Sequence, residues 1–330
     1  MHNVNIAVID TGVDIHSVYD DKKIIIDNKI QSDYFRNNIM DENGHGTCCI
    51  NTILLKAKNV NILPIKIYDD EGRTSTYFLL DVLEKLIDSN IDLINISSSS
   101  NNCSCENEIN SVCNELNKKG KIVICSQSNN YMDKPSIPTK FKSVFGVKGA
   151  KNIFKDEHYY YNKDKELQIR GNSKYRFIKG LNGYITYFGY NSRLSSVITG
   201  EIANIMTEIE SKNLVEIEKE LIKRSLCNEK IDISMNCLDD INLIDSINKK
   251  HILYNILDII NDNFATKTVE VSSIAKYSIF NELTNINKYN AYDFLTKINN
   301  KFKINIDYKN IYLYELANIN LLVSLIESYV

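Results

Sequence analysis

Short, fully apolar runs alternate along the first half of the chain with longer stretches whose apolar residues recur every three to four positions. Asn5-Ile6-Ala7-Val8-Ile9 is the first run, and it ends at the polar Asp10-Thr11-Gly12. That is the pattern of a buried parallel strand with a loop at its carboxyl end. Runs at 61–67 and 91–96 flank residues 76–89, where Leu79, Leu80, Val82, Leu83, Leu86 and Ile87 form a helical stripe. Pro64 has no N–H to donate, so the run at 61–67 is expected at a sheet edge or a bulge.

The alternation continues. A helix is predicted over 106–118, closed by Gly120 and followed by a strand at 121–125. A further run, Val144-Phe145-Gly146-Val147, follows Pro135 and Pro138. Strands alternating with helices predict an α/β fold, a parallel sheet with helices on both faces and ligands bound beyond the carboxyl ends of its strands. Asp10, Ser97 and Asn129 fall at those ends. Residues 153–190 read as irregular strands and loops, and helices return at 192–209 and 214–225.

The chain has 330 residues, with 39 basic and 42 acidic side chains, which excludes a disordered polyelectrolyte and a basic nucleic-acid binder. Two domains are expected from the length. Eight cysteines are too few for a disulfide-stapled secreted module, so reduced thiols are expected. Neither a secretory signal nor an apolar run of membrane-spanning length is present, and the expected location is cytoplasmic, with no membrane partner.

Three segments place a reactive residue where one element gives way to the next. Asp10 lies in Val8-Ile9-Asp10-Thr11-Gly12-Val13-Asp14, His45 in Asn43-Gly44-His45-Gly46-Thr47, and Ser192 at the start of a helix in Tyr190-Asn191-Ser192-Arg193-Leu194-Ser195-Ser196. A serine hydroxyl becomes a nucleophile when a neutral imidazole takes its proton, and a carboxylate fixes that imidazole's tautomer. Taken singly, Asp10 also reads as an Asx turn, His45 as a loop histidine, Ser192 as a helix N-cap and Asn129 as a turn residue.

In this order, over about residues 3–225, the motifs resemble those of the subtilisin-like serine peptidases. The resemblance implies Asp10 as orienting carboxylate, His45 as general base and acid, and Ser192 as nucleophile. Asn129, in Ile122-Val123-Ile124-Cys125-Ser126-Gln127-Ser128-Asn129, takes the place of the oxyanion-hole asparagine. Ser97, Ser98 and Ser99 fall on the strand that pairs with substrate, and Gly72 on the rim of the cleft. The serine motif departs from the family: its Gly-Thr becomes Tyr190-Asn191, and the proline four residues after the serine becomes Ser196. The register is kept at Ser195, Ile198 and Gly200, which favours Ser192 over Ser195 and Ser196.

Cys103-Ser104-Cys105 with Cys113 lacks a fourth nearby ligand for tetrahedral zinc, so ordinary thiols are expected, and Asp69-Asp70-Glu71-Gly72 reads as a solvated acidic turn. No metal or organic cofactor is called for by the triad chemistry that the resemblance implies.

Residues 226–248 form a polar stretch read as a linker, separating a peptidase domain at 1–225 from a helical domain at 249–330. In the latter, Ile252 to Ile260, Tyr289 to Phe302 and Leu316 to Ile326 carry helical stripes, predicting a small bundle. Its order and motifs resemble acyl and peptidyl carrier domains, but Asn287-Lys288 stands where carriers have Asp-Ser, so no phosphopantetheine attachment is expected. A docking module for a protein partner and an unrelated stabilising bundle both fit.

The expected activity is an intracellular serine endopeptidase acting on a dedicated peptide or protein. Asp10 arrives too early for a pro-domain to precede it, and an enzyme active from synthesis calls for narrow specificity. Processing the leader of a ribosomally made peptide natural product fits. A pseudoprotease that binds peptides without cutting them is the rival.

Overall fold

The computed structural model describes residues 3–35, 38–129, 134–226, 246–275, 278–287 and 289–330. The chain divides into two compact units, one of residues 1–173, 179–184 and 189–231, the other of residues 174–178, 185–188 and 232–330.

The first unit is built on a seven-stranded sheet. Its strands are β1 (Val4–Asp10), β2 (Val60–Lys66), β3 (Leu93–Ile96), β4 (Ile122–Ser126), β5 (Val144–Gly149), β6 (Tyr159–Tyr161) and β7 (Ile169–Gly171), in the order β2-β1-β3-β4-β5-β7-β6. All pairings are parallel except that of β6 with β7. β2, which carries Pro64, is an edge strand, and Gln31 covers it by donating from Nε2 to the Pro64 carbonyl at 2.8 Å. The stripe at 76–89 becomes α2 (Thr76–Leu86), and α3 spans Glu106–Lys118.

Alternation along β1 sorts its side chains between two layers. Ala7 and Ile9 enter a core with Leu63, Ile65, Val82, Leu83, Ile109 and Leu116, so α2 and α3 cover one face. The opposite face carries α1 (His45–Lys56) and α4 (Tyr190–Glu208), which pack on each other. Asp10 is in register with Val8, on the α1/α4 face. The sheet thus aims a carboxylate at the first turn of α1, which carries His45. A further helix, α5 (Leu214–Arg224), packs on α4.

The second unit has its own core. It comprises the hairpin β8 (Arg176–Lys179) and β9 (Ile185–Phe188) and the helices α6 (Ile247–Asn263), α7 (Val271–Ala275), α8 (Ala291–Phe302), α9 (Leu313–Ala317) and α10 (Ile319–Glu327), with Ile256, Ile260, Phe294, Ile298, Leu322 and Ile326 buried at its centre. The hairpin, read from the sequence as part of the peptidase domain, groups by its contacts with these helices: Phe177 lies in their core and Arg176 stacks on Tyr312. The single stripe predicted over 316–326 is two helices. Asn318 breaks it because its side chain caps α10, accepting from the N–H groups of Asn320 and Leu321 at 3.0 and 3.1 Å. Most of the expected linker and Lys288 of the Asn287-Lys288 comparison lie outside the described residues.

Candidate active site

Asp10 ends β1 at 2% exposure. Its Oδ1 accepts from the Thr11 N–H at 2.8 Å and lies 2.7 Å from His45 Nδ1. The carboxylate can only accept there, so Nδ1 carries a proton, and it is Nε2 that holds the lone pair once the imidazole is neutral. Burial pulls the His45 pKa down, but the Asp10 charge and hydrogen bond outweigh it and hold the imidazole well above the usual histidine range.

Asp41, which sequence reasoning passed over, holds this pair in place. Its buried carboxylate accepts five hydrogen bonds: from Thr11 Oγ1 (2.8 Å) and the N–H groups of Gly44 (2.7 Å) and Asn43 (3.1 Å) on Oδ1, and from the N–H (2.8 Å) and Oγ1 (2.6 Å) of Thr47 on Oδ2. Thr11 Oγ1 in turn accepts from the Gly46 N–H, and Thr47 Oγ1 from the Asp14 N–H, both at 2.9 Å. The two threonines therefore stitch the aspartate loop to the histidine loop through one carboxylate. Loops are closed by such exchanges because every buried polar group needs a partner. An Asp four residues before the His, with Thr after both Asp10 and Gly46, was the available signal.

The glycines serve close approach. A Cβ on Gly46 would lie 2.3 Å from the Gly12 carbonyl oxygen, a backbone atom that cannot yield. Gly46→Ala is expected to push α1 off the Asp10 loop, costing on the order of 3 kcal/mol and a fall in Tm of roughly 5–10 °C. Thermal unfolding followed by circular dichroism measures it.

Ser192 lies in the first turn of α4 and is 7% exposed. Its hydroxyl donates to the Ser97 carbonyl oxygen at 2.9 Å. Ser195 and Ser196 are fully buried, and both hydroxyls are turned back to the Ser192 carbonyl, at 2.9 and 3.1 Å. Ser195 Oγ also lies 3.0 Å from Ser97 Oγ, but of the three serines only Ser192 keeps any exposure.

The altered residues around Ser192 build their own anchorage. Tyr190 adopts a left-handed backbone (φ 58°) and donates its N–H to Ser173 O at 2.9 Å. The Asn191 side chain spans two strand ends, accepting from Gly149 N–H at 2.8 Å and donating to Gln127 O at 2.9 Å. Arg193 is buried and pairs with Asp156, whose other oxygen accepts from Asn172 at 2.9 Å. Arg193→Met would leave Asp156 largely buried without that partner, a loss of about 3 kcal/mol. Adding Asp156→Asn is expected to recover most of it, as thermal unfolding of the single and double variants will show.

Asn129 follows β4, and its Oδ1 accepts from the Asn191 N–H at 3.4 Å. Its side chain thus reaches the helix start one residue before Ser192. First-turn N–H groups have no intrahelical acceptor, and the Asn129 side chain is held beside that turn through its oxygen.

Ser97, Ser98 and Gly72 line one cavity of about 200 Å³ together with Asp10, Thr11, Asn43, His45 and Tyr68. The Tyr68 hydroxyl donates to Ser98 Oγ. Ser99 is not among the lining residues, and its Oγ accepts from Ser136 at 2.7 Å. The acidic turn is partly neutralised, since Arg73 pairs with Asp69 and Glu71 while Asp70 and Glu42 each approach the buried Lys66 ammonium at 3.5 Å.

Among the described residues, Asp10, His45 and Cys49 are a group whose donor atoms lie within 4.8 Å of one another. Two of them already hydrogen-bond as the acid–base pair. Burial pushes the Cys49 thiol up, away from the thiolate that a metal ligand requires.

A subtilase family model matches residues 1–278. The chain is also similar to a cold-adapted subtilisin-like serine proteinase of known crystal structure, with a TM-score of 0.55 and 17% identity over 67% of this chain and 82% of that one. No curated protein matches. The structural likeness establishes the fold; the family model, spanning more than four fifths of the chain, establishes that this protein belongs to the subtilase family of serine endopeptidases.

Proposed function

We propose that the protein cleaves a dedicated peptide or protein through an acyl-enzyme on Ser192. The observation that carries this reading is the 2.7 Å Asp10–His45 contact on the same sheet end as the Ser192 hydroxyl. His45 takes the Oγ proton as Ser192 attacks the scissile carbonyl and returns it to the leaving amine, while Asp10 holds the imidazolium. In the structure that proton is donated to Ser97 O, so attack requires Oγ to exchange this contact for His45 Nε2. Asn129 and the Ser192 N–H receive the oxyanion, and one such donor is worth on the order of 3 kcal/mol. The backbone of residues 97–99 and the Gly72 turn bind the substrate chain.

Narrow specificity is supported by the cavity beside His45, which at about 200 Å³ and walled by Tyr68 suits a modest side chain. An intracellular setting is supported by the six described cysteines, all free thiols. Leader removal from a ribosomally made peptide fits such an enzyme, with the helical second unit as a docking module for the precursor or a partner protein.

Fluorophosphonate labelling followed by peptide mapping tests the reading. The probe is expected on Ser192 alone, because it needs an activated serine and a formed oxyanion hole. Label on Ser195 or Ser196 would move the nucleophile, and no label on folded protein would favour the peptide-binding pseudoprotease.

A further inference from the structure

Cys103 and Cys105 lie between the Ser97–Ser100 segment and α3, with their sulfurs 3.6 Å apart and both thiols free. A disulfide needs the sulfurs at about 2.05 Å, so closure asks for some 1.5 Å of movement. Two intervening peptide bonds, with Ser104 and Cys105 in a turn, keep the α-carbons within bridging reach. Access to the two thiols differs. Cys105 is 2% exposed and burial pushes its thiol up, whereas Cys103 is half-buried and is the one that a small reagent meets. Cys105 occupies the N-cap of α3 without a side-chain capping bond; its thiol donates to Thr76 Oγ1 at 3.5 Å, a contact that closure exchanges for the bridge.

The pair is coupled to the neighbouring serines. The Asn102 N–H donates to Ser100 Oγ at 3.1 Å, and the Ser100 hydroxyl donates back to Asn102 O. Ser100 in turn exchanges backbone hydrogen bonds with Ile137 at 2.9 and 2.8 Å. A shift at Cys103 is therefore passed through Asn102 to the end of the segment that carries Ser97, Ser98 and Ser99.

We propose that Cys103 and Cys105 form a redox-active dithiol that a small disulfide of the glutathione class closes into an intrachain bridge, weakening substrate binding along residues 97–99. The Cys103 thiolate attacks the reagent's disulfide, forming a mixed disulfide and releasing one glutathione thiolate. The Cys105 thiolate then attacks the Cys103 sulfur and expels the second glutathione. The protein loses two electrons and two protons, and the reagent gains them as two thiols. The effect on binding rests on the proposed role of residues 97–99; the bridge itself does not.

The full-length protein is treated with oxidised glutathione and read by intact mass and peptide mapping, and the turnover of a fluorogenic peptide is followed in parallel. The expected result is the loss of two hydrogens, with Cys103 linked to Cys105, a several-fold rise in KM with little change in kcat, and reversal by dithiothreitol. Cys103→Ser is expected to lose both the bridge and the KM shift. Stable glutathione adducts without closure, or a bridge between other cysteines, would overturn the dithiol. A Cys103–Cys105 bridge with KM unchanged would overturn the coupling to substrate. The mass readout stands even if no peptide is cleaved, so failure of the proposed peptidase reading is seen separately.

Discussion

Ser192→Ala is expected to lower kcat by on the order of a million-fold while leaving the fold intact, because the members of such a triad act as a unit. The side chain contributes one hydrogen bond, to the Ser97 carbonyl, at a position that is 7% exposed. Its loss therefore costs only about 1 kcal/mol of stability. The same coupling makes the double variant Ser192→Ala/His45→Ala little worse than Ser192→Ala alone. Ser195→Ala has a different profile. The Ser195 hydroxyl lies 3.0 Å from Ser97 Oγ and donates to the Ser192 carbonyl, so its removal perturbs packing beneath the proposed nucleophile without taking that hydroxyl away. Steady-state cleavage of one peptide by the three variants separates these outcomes: if Ser195→Ala proves the inactive one and Ser192→Ala turns over, the assignment of the nucleophile fails.

Period and motif made much of the catalytic unit legible. The fully apolar runs could be buried only in a sheet covered on both faces, and the Asp10 and His45 motifs carry threonines and glycines whose spacing reflects real backbone contacts, as at Gly46 and Gly12. What escaped was local substitution and non-local grouping. Tyr190, Asn191 and Arg193 replace a familiar elbow with contacts to Ser173, Gln127, Gly149 and Asp156, residues 17 to 64 positions away in the chain, and no periodicity encodes such pairs. Likewise, the β8–β9 hairpin carries a two-residue alternation that fits any sheet, and only tertiary contacts place Phe177 among the C-terminal helices. Asn318 was hidden because apolar spacing continues across it while its side chain caps a new helix.

Asp10→Asn is expected to combine a loss of about 10⁴ in kcat with an acidward shift of the pH–rate profile. An amide beside His45 Nδ1 can donate as well as accept, so the tautomer that leaves Nε2 free for Ser192 is no longer imposed. In the wild type, burial alone would pull the imidazole below its usual value, and Asp10 reverses the sign. Activity, which needs neutral His45, therefore rises with pH only through a value well above about 6.5. Without the carboxylate the largest raising contribution is gone and the limb moves to lower pH. Stability runs in the opposite direction. Because folding raises the His45 pKa, the ion pair's contribution is fully present below about pH 6.5, the unfolded value, and fades as pH climbs through the folded one. The wild type thus gains its base over the same interval in which it loses this stabilisation. The Tm difference between wild type and Asp10→Asn should accordingly be largest in mildly acidic buffer and shrink towards alkaline pH, while the difference in kcat persists on the alkaline plateau. A Tm gap that stayed constant with pH would mean that Asp10 stabilises the fold through its Thr11 contact rather than through His45.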